Sequence, residues 1–294
     1  MSGGPATGAP VDEGGRGGTV AVSGGRFGEF VVEALQGALP GTRVVVAGSP
    51  EAEAGADGFP FELLGDRALT CSRGAGGPAI AEFVLAAMLA FEKQLPQSWI
   101  TGPVDRWNTA QLGGLEGRTL GIIGLGAIGT EVARRALAFS MEVIGVRRRP
   151  GPAPVDGVAL CPDLPTLLGR SDHVVVAAPA TPATRHLLDG AAFAAVKPGV
   201  HLVNVARGSL VDQDALIRAL DDGRVAMASL DVVDPEPLPD GHPLYGHRSV
   251  RLSPHISWSS PRTAVRTITC FTENLARFRD GRQLLGTVDK EAGY

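Results

Sequence analysis

The sequence predicts an α/β protein in which a doubly wound parallel sheet, covered by helices on both faces, is joined to a second, smaller domain. Short apolar runs alternate with segments of helical periodicity from residue 19 onward. The runs are apolar on both faces, which is typical of strands buried inside a parallel sheet. The length of 294 residues indicates two domains, because one domain usually holds roughly 100–200 residues.

Composition favours a protein that acts on a small molecule. With 44% hydrophobic residues the chain can build a full core, and a net charge of −4 gives no reason to expect a nucleic-acid partner. Its three cysteines, Cys71, Cys161 and Cys270, lie far apart and lack metal-ligand spacing. We therefore predict no metal site, and buried, reduced thiols in a cytoplasmic protein.

Neither a targeting segment nor a membrane span is predicted. Residues 1–18 have no basic start and no apolar run, and their Gly, Pro and Ala content predicts a disordered tail. The most apolar helical segment, Ala79 to Phe91, is shorter than the roughly 20 residues that a membrane-spanning helix needs. We expect a soluble chain with no membrane partner.

The alternating patterns divide the chain after this tail into two domains. Residues 19–95, together with a returning segment 263–294, are predicted to form the smaller domain, and residues 96–262 the larger one. Strands are predicted at Thr19–Ser23, Arg43–Ala47, Leu120–Gly124, Glu142–Val146, His173–Ala178, Val200–Val205, Ala226–Val232 and Ser249–Leu252. Helices are predicted at Pro78–Leu95, Thr130–Phe139, Leu164–Leu168, Gly190–Val196, Gln213–Leu220 and Pro261–Arg279.

A glycine-rich turn of the pattern G-x-G-x-x-G lies between a predicted strand and a predicted helix. In this context the pattern indicates a dinucleotide site: Gly124 permits a tight turn, Gly126 lets a pyrophosphate approach the backbone, and Gly129 lets helix and strand pack closely. The phosphates would rest on the free N–H groups at the helix N-terminus. The residues of this turn that are predicted to bind the cofactor are Gly124, Gly126, Ala127, Ile128 and Gly129.

The second strand of the larger domain predicts which dinucleotide is bound. NAD-preferring sites carry an acidic residue about 20 residues further on, where it bonds to the ribose. Here the strand ends instead in Arg147, Arg148 and Arg149. Guanidinium groups pair with a 2′-phosphate, whereas an acid would repel it. We predict NADP as the preferred cofactor, with NAD as the alternative.

Three further segments each carry a polar side chain after a predicted strand. The segments and their polar residues are Asn204–Asp212 with Arg207, Leu230–Leu238 with Glu236, and Leu252–Ser257 with His255. In order and spacing they resemble the N-x-x-R-G, L-D-V-x-x-x-E-P-L and S-P-H motifs of the D-isomer-specific 2-hydroxyacid dehydrogenase family, and of its glyoxylate/hydroxypyruvate reductase-like members. The resemblance runs from about Cys71 to Tyr294. It implies a Rossmann-type cofactor domain and a flavodoxin-like substrate domain.

The resemblance further implies that Arg207, Glu236 and His255 form the catalytic group. Reducing a ketone needs a proton at oxygen while hydride reaches carbon, and imidazole suits the donor because it titrates near neutral pH. A carboxylate beside an imidazole favours the charged imidazolium, and an arginine can bind a substrate carboxylate and offset charge on the carbonyl oxygen. By the same resemblance the cofactor would also contact Pro179, Ala206 and Asp231.

The loop Cys71–Glu82 resembles the family's substrate-domain loop, which implies that Arg73 and Gly74 face the substrate. Trp258 either lines the same pocket or belongs to the core. Upstream, only residues 50–70 are available where the family has further strand–helix units, so the substrate domain is expected to be shortened. A shortened domain leaves room for a substrate that is bulkier than the usual small 2-ketoacid.

The leading functional interpretation is NADPH-dependent reduction of a 2-ketoacid, such as glyoxylate or hydroxypyruvate, to the D-2-hydroxyacid. A second interpretation keeps the same chemistry for a specialised biosynthetic intermediate or an inorganic oxyanion. A third is a nucleotide-sensing, corepressor-like interaction protein. Formate oxidation is disfavoured, because family members with that activity carry Gln where this chain has Glu236. The helix from Pro78 is apolar over most of its surface and is expected to pack against its copy in a homodimer.

Overall fold

The computed structural model describes residues 19–23, 43–47, 68–100, 102, 107, 111–148 and 150–289. Its main feature is a sheet of seven strands, all paired in parallel, in the order β5–β4–β3–β6–β7–β8–β9. The strands are β3 (Thr119–Ile123), β4 (Glu142–Val146), β5 (Val158–Leu160), β6 (His173–Val176), β7 (Val200–Asn204), β8 (Val225–Leu230) and β9 (Val250–Leu252). The strand order reverses between β3 and β6, so the prediction of a doubly wound, Rossmann-type sheet is confirmed.

Seven α-helices accompany the strands in the described residues. They are α1 (Gly77–Glu92), α2 (Ala127–Ala138), α3 (Leu164–Arg170), α4 (Gly190–Ala195), α5 (Gln213–Asp221), α6 (Pro243–Gly246) and α7 (Pro261–Arg279). Side-chain oxygens cap four of them, and each of these oxygens accepts a hydrogen bond from a backbone N–H of the first turn. These caps are Asp163, Asp189, Asp212 and Ser260.

The helices bury both faces of the sheet. On one face Val84 and Met88 of α1 pack with Val132 of α2 against the central strands. On the other face Leu167 of α3, with Leu216 of α5, belongs to a second cluster. Strands β6 and β7 are buried at every position, which explains why their sequences are apolar runs rather than alternating patterns.

Strands β1 (Thr19–Ser23) and β2 (Arg43–Ala47) form a separate parallel pair, with the bounds that the sequence predicts. The rest of the predicted substrate domain before residue 68 lies outside the described residues, and so does the predicted disordered tail 1–18. The predicted shortening of that domain concerns the same residues. The returning segment is described as far as residue 289. It contacts the first predicted segment of that domain, 19–95, through an antiparallel bridge between Thr70 and Thr287.

Most predicted elements agree with the structure to within three residues. Strand β5 and helix α6 were not predicted, because each is too short to show a period. The prediction of buried cysteines was wrong: Cys71 is exposed in the turn before α1, and Cys161 and Cys270 are half-buried. Among the helices described, none has the length and apolarity to cross a bilayer.

A chain of buried polar side chains joins the end of α1 to the sheet. Oε1 of Glu92 lies 3.1 Å from Nε2 of His173, whose Nδ1 lies 3.2 Å from Nδ1 of His201. Nε2 of His201 in turn lies 3.0 Å from Oγ of Ser229. Burial lowers the pKa of His173 to about 4, lowers the pKa of His201 well below its ordinary value and raises the pKa of Glu92. Both histidines are therefore neutral at neutral pH.

We expect the free energy of unfolding to fall as the pH is lowered from about 6.5 to about 4. In this window the unfolded chain protonates both histidines while the folded chain keeps them neutral, so protons favour unfolding. The raised pKa of Glu92 acts in the opposite direction, but one carboxyl opposes two imidazoles. For His173 alone, a pKa lowered from 6.5 to about 4 corresponds to roughly 3 kcal/mol.

Denaturant titrations at about pH 7.5 and about pH 5 measure this loss. The variant His173→Gln should lose less stability over this pH interval than the wild type does, because its side chain does not titrate while His201 still does. The variant His186→Asn, at an exposed histidine, should keep all of the wild-type pH dependence. If the free energy of unfolding of His173→Gln changed between the two pH values by as much as that of the wild type, His173 would not contribute to the pH dependence.

Candidate active site

The carboxyl ends of the parallel strands bring together the polar segments that the sequence singles out. The glycine turn follows β3, Arg207 follows β7, Asp231 follows β8, and His255 follows β9. Strands β7, β8 and β9 are neighbours in the sheet, and only β6 lies between β3 and β7, so the loops that follow these parallel strands meet at one edge. Ligands of open α/β sheets bind at this edge, next to the point where the strand order reverses.

Glu236 and His255 form a direct pair across two of these loops. Nδ1 of His255 lies 2.9 Å from Oε2 of Glu236, and the two side chains are 39% and 37% exposed. The other carboxylate oxygen of Glu236 accepts a hydrogen bond from the backbone N–H of Val233. A carboxylate at Nδ1 orients the imidazole ring and leaves Nε2 to face a ligand.

The loop that carries His255 has an unusual backbone. His255 has a φ of +55°, in the left-handed region that side chains other than glycine's rarely adopt. Its N–H donates to the carbonyl oxygen of Asp231, and its own carbonyl oxygen accepts from the indole N–H of Trp258 at 2.9 Å. Trp258 also packs against the core cluster beside α1. It therefore supports the His255 loop from the core side.

Asp231 is almost completely buried, at 1% exposure. Its carboxylate accepts hydrogen bonds from Oγ of Ser253 and from the backbone N–H groups of Ile256 and Ser257. All three donors belong to the loop that carries His255. The carboxylate therefore contacts the histidine loop, and the contact with the cofactor that the resemblance implies stays a prediction.

The Arg207 loop is held by a buried asparagine and by a glycine. Asn204, 1% exposed, donates from Nδ2 to the carbonyl oxygen of Arg207 and accepts from the N–H of Ala206. The guanidinium of Arg207 donates to the carbonyl oxygen of Ala206 at 2.8 Å. A Cβ atom on Gly208 would lie 1.9 Å from the carbonyl carbon of Val233. Only glycine therefore lets the Arg207 loop pack against the loop that leads to Glu236.

Gln213 provides a second connection between these two loops. Its side-chain amide donates from Nε2 to the carbonyl oxygen of Asp234 at 2.6 Å, and its Oε1 accepts from the N–H of Asp234 at 3.1 Å. Gln213 is the first residue of α5, a few residues after Arg207 in the chain. Asp234, two residues before Glu236, is thus hydrogen-bonded to the start of α5, the helix that follows Arg207.

The glycine turn has the geometry that the pattern predicts. Gly124 has a φ of +101°, and a Cβ there would meet the backbone of Ala178 at 2.7 Å. A Cβ on Gly129 would lie 2.1 Å from the carbonyl oxygen of Gly124, so this glycine permits the close contact of helix and turn. Gly126 is exposed, and a Cβ there would meet no atom within 4 Å. The N-terminus of α2 has no side-chain cap, so its first N–H groups, at Ala127 and Ile128, could bind phosphate.

Basic side chains stand at the end of β4. Arg147 is half-buried and donates to the carbonyl oxygen of Pro152 at 2.8 Å, whereas Arg148 is exposed. Arg149 lies outside the described residues. Pro179 is exposed after β6, and Ala206 is buried after β7, so both follow strands at the same edge of the sheet. These residues, with the glycine turn, could hold a dinucleotide.

The predicted substrate residues adjoin the glycine turn. Arg73 and Gly74 are exposed in the turn before α1, and Gly74 has a φ of +85°. A Cβ on Gly74 would lie 3.6 Å from Cβ of Ala127, at the start of α2. A Cβ on Gly76 would lie 3.3 Å from Cβ of Trp258. One short turn therefore lies between the glycine turn and the loop that carries His255.

Comparison with known proteins shows the family of this chain. Residues 85–257 match the model of the family described as D-isomer specific 2-hydroxyacid dehydrogenase, NAD binding domain. The chain is 35% identical over 221 residues to glyoxylate reductase of Thermofilum pendens, and 35% identical over 224 residues to hydroxypyruvate reductase of Thermotoga maritima. These alignments cover 72% and 75% of this chain, and 65% and 68% of the two relatives.

A solved structure of a member of the same family superimposes on nearly the whole chain. A D-isomer specific 2-hydroxyacid dehydrogenase from Xanthobacter autotrophicus Py2, solved in complex with NADPH and MES, superimposes with a TM-score of 0.79 at 29% identity. The superposition covers 95% of this chain and 99% of that structure.

Sequence reasoning singled out the three polar residues but missed the side chains that hold them. The roles of Gln213, Ser253 and Asn204 depend on contacts between loops, which a linear sequence does not show. A glutamine at the start of a helix carries no local signal of its partner, and the serine of S-P-H does not by itself indicate a contact with Asp231. Asn204 and Ser253 both stand inside recognised motifs, and that placement is the signal that could have indicated their roles.

Proposed function

Because this chain belongs to the D-isomer specific 2-hydroxyacid dehydrogenase family, we propose that it reduces a 2-ketoacid to the D-2-hydroxyacid with NADPH. The observation that carries this proposal is the Glu236–His255 pair, 2.9 Å apart, at the same sheet edge as Arg207 and the glycine turn. The pair supplies a proton donor with an oriented ring, and the turn supplies a site for the nucleotide that delivers hydride. Both are needed to reduce a carbonyl group.

The residues present fit a nicotinamide dinucleotide. The open space at Gly126, together with the uncapped start of α2, leaves room for a pyrophosphate against backbone N–H groups. Pro179 and Ala206 would adjoin the rest of the cofactor. When bound, the cofactor supplies the hydride, and the part of the chain described here supplies position, charge and the proton.

The catalytic roles follow from the geometry of the three side chains. Glu236 fixes the His255 ring through Nδ1 and balances the positive charge of its imidazolium form. Nε2 of His255 then donates a proton to the carbonyl oxygen of the substrate. Arg207 binds the substrate carboxylate and offsets the negative charge that develops on the same oxygen. By the family resemblance, Arg73 and Gly74 would face the substrate.

NADPH is the proposed cofactor because arginines, not an acid, follow β4. We expect Arg147→Asp to shift the ratio of kcat/KM for NADPH over NADH by roughly 10- to 100-fold towards NADH, since a charge-assisted hydrogen bond contributes about 1.5–3 kcal/mol. Arg218→Gln, at an exposed arginine of α5, is the control and should leave the ratio unchanged. An unchanged ratio in Arg147→Asp would mean that other groups bind the 2′-phosphate.

The proposal is tested by following the loss of NADPH absorbance with the purified protein and a graded set of 2-ketoacids, with NADH in parallel. Turnover of glyoxylate or hydroxypyruvate would support an ordinary small substrate. Turnover of larger 2-ketoacids alone would support the bulkier class. Tight NADPH binding without turnover of any 2-ketoacid would contradict the proposed substrate class and favour the specialised-substrate alternative.

We further propose that the protein is a homodimer that assembles through the region of α1. Large apolar side chains stand in the segment after this helix, with Trp99 64% and Trp107 73% exposed. Burying such side chains against a second copy would remove them from water. Gel filtration with light scattering should give about twice the chain mass of 30.4 kDa. A stable species at the mass of one chain would contradict the proposal.

A further inference from the structure

The loop that carries His255 is held chiefly by one residue that does not touch the imidazole. Both the side chain and the main chain of Asp231 bind this loop. Its carbonyl oxygen accepts from the N–H of His255 at 3.0 Å. Its carboxylate accepts from Ile256 N at 2.9 Å, from Ser257 N at 2.8 Å and from Oγ of Ser253.

The positive φ of His255 explains why these donors converge. A single left-handed residue turns the N–H groups that follow it towards one point, and such a concave group of backbone N–H groups binds an anion. Here the anion is the Asp231 carboxylate, which is 1% exposed. The carboxylate therefore pairs with N–H groups that would otherwise be buried and unsatisfied, and it stabilises the left-handed conformation of His255.

The backbone of His255 in turn sets the direction of its ring. The ring reaches Glu236 at 2.9 Å only while the loop keeps this conformation, because the two residues stand on different loops. On the other side of the loop, Trp258 binds the carbonyl oxygen of His255. We propose that Asp231 is a positioning residue for the reaction, which holds His255 against Glu236 through the backbone of residues 253–257. This inference rests on the proposed function of His255 as proton donor.

The carboxylate is close to saturated by these contacts. Two carboxylate oxygens offer about four lone-pair sites, and three are occupied: two on Oδ1 and one on Oδ2. An amide in its place cannot satisfy the same donors. If the amide oxygen faces Ile256, the NH₂ group meets the N–H of Ser257, and the reverse orientation meets the N–H of Ile256.

The variants Asp231→Asn and Ser253→Ala test the proposal. Loss of a buried hydrogen bond to a charged group should lower kcat by roughly 10- to 100-fold in Asp231→Asn. The Kd for NADPH, measured by fluorescence quenching, should change by less than about threefold, because the role is exerted on His255. Ser253→Ala should lower kcat by a smaller factor. The double variant should lose less than the product of the two factors, because both changes act on one loop.

A readout without cofactor separates this inference from the proposed function. In ¹⁵N-histidine NMR spectra of the cofactor-free protein, the His255 signal is assigned by its loss in His255→Asn. The neutral ring should be fixed as the Nδ1–H tautomer in the wild type and should become a mixture of tautomers in Asp231→Asn. This result is expected even if no 2-ketoacid is turned over. Asp189→Asn, which alters a helix cap on α4, is the control and should leave the signal unchanged.

Two results would overturn the inference. The first is a His255 signal in Asp231→Asn that is identical to the wild-type signal. The second is a large rise in the Kd for NADPH in Asp231→Asn together with an unchanged kcat in Ser253→Ala, which would assign the carboxylate to the cofactor. If Asp231→Asn does not fold, the His255 signal of Ser253→Ala decides between the same outcomes.

Discussion

Replacing His255 with Asn is expected to lower kcat by a factor of roughly 10²–10⁴ while leaving the affinity for NADPH unchanged. The substitution removes the group that donates the proton and keeps the glycine turn intact. Asparagine is the appropriate replacement, because it tolerates the φ of +55° that the backbone has at this position. Stopped-flow turnover and a fluorescence titration with NADPH measure the two quantities separately.

The chain offers a closely matched control for this variant. His186 also has a positive φ, of +50°, and it is exposed, but it does not follow β9 or contact Glu236. The variant His186→Asn should therefore retain wild-type kcat. An active His255→Asn enzyme would remove the histidine from the mechanism, and equal losses in both variants would indicate a general effect on the fold.

The second large effect is expected at the glycine turn. Gly126→Val should raise the Kd for NADPH by roughly 100-fold or more and leave the free energy of unfolding within about 0.5 kcal/mol of wild type. The backbone at Gly126, with φ −83° and ψ −158°, suits any residue, and a side chain there meets no atom of the described protein. The same side chain would occupy the space through which a pyrophosphate reaches the N–H groups of α2.

Gly190→Val is the control, because it also places a side chain in open space at the start of a helix. Its affinity for NADPH should equal that of the wild type. Unaltered NADPH binding by Gly126→Val would mean that the phosphates do not approach the turn. A large loss of stability would mean that the substitution reports on folding rather than on the site.

The geometry of the glycine turn could be predicted from the sequence, because its determinants are local. A glycine pattern, the strand before it and the helix after it lie within about twenty residues, and their geometry follows from backbone sterics. The tight turn at Gly124 and the close contact at Gly129 both agree with the pattern. The motifs also predicted that Arg207, Glu236 and His255 follow strands of one sheet, as they do in the structure, while their catalytic roles stay a prediction.

The supporting contacts could not be predicted, because they join distant parts of the chain. Glu92 and His173 are 81 positions apart, and the buried pair of His173 and His201 has no pattern that distinguishes it from surface histidines. Asp231 was assigned to the cofactor by resemblance, and only the folded loop shows three donors around its carboxylate. Long-range polar contacts of this kind are set by the packing of loops, not by local preference.

The most direct test of the account is to follow deuterium from NADPH labelled at the transferable position of the nicotinamide into the product of a 2-ketoacid. Chiral chromatography with mass spectrometry then gives both the configuration and the label. We expect a D-2-hydroxyacid with one deuterium at C2, formed by the wild type and formed roughly 10²–10⁴-fold more slowly by His255→Asn. An L-product, or a product without deuterium at C2, would contradict it.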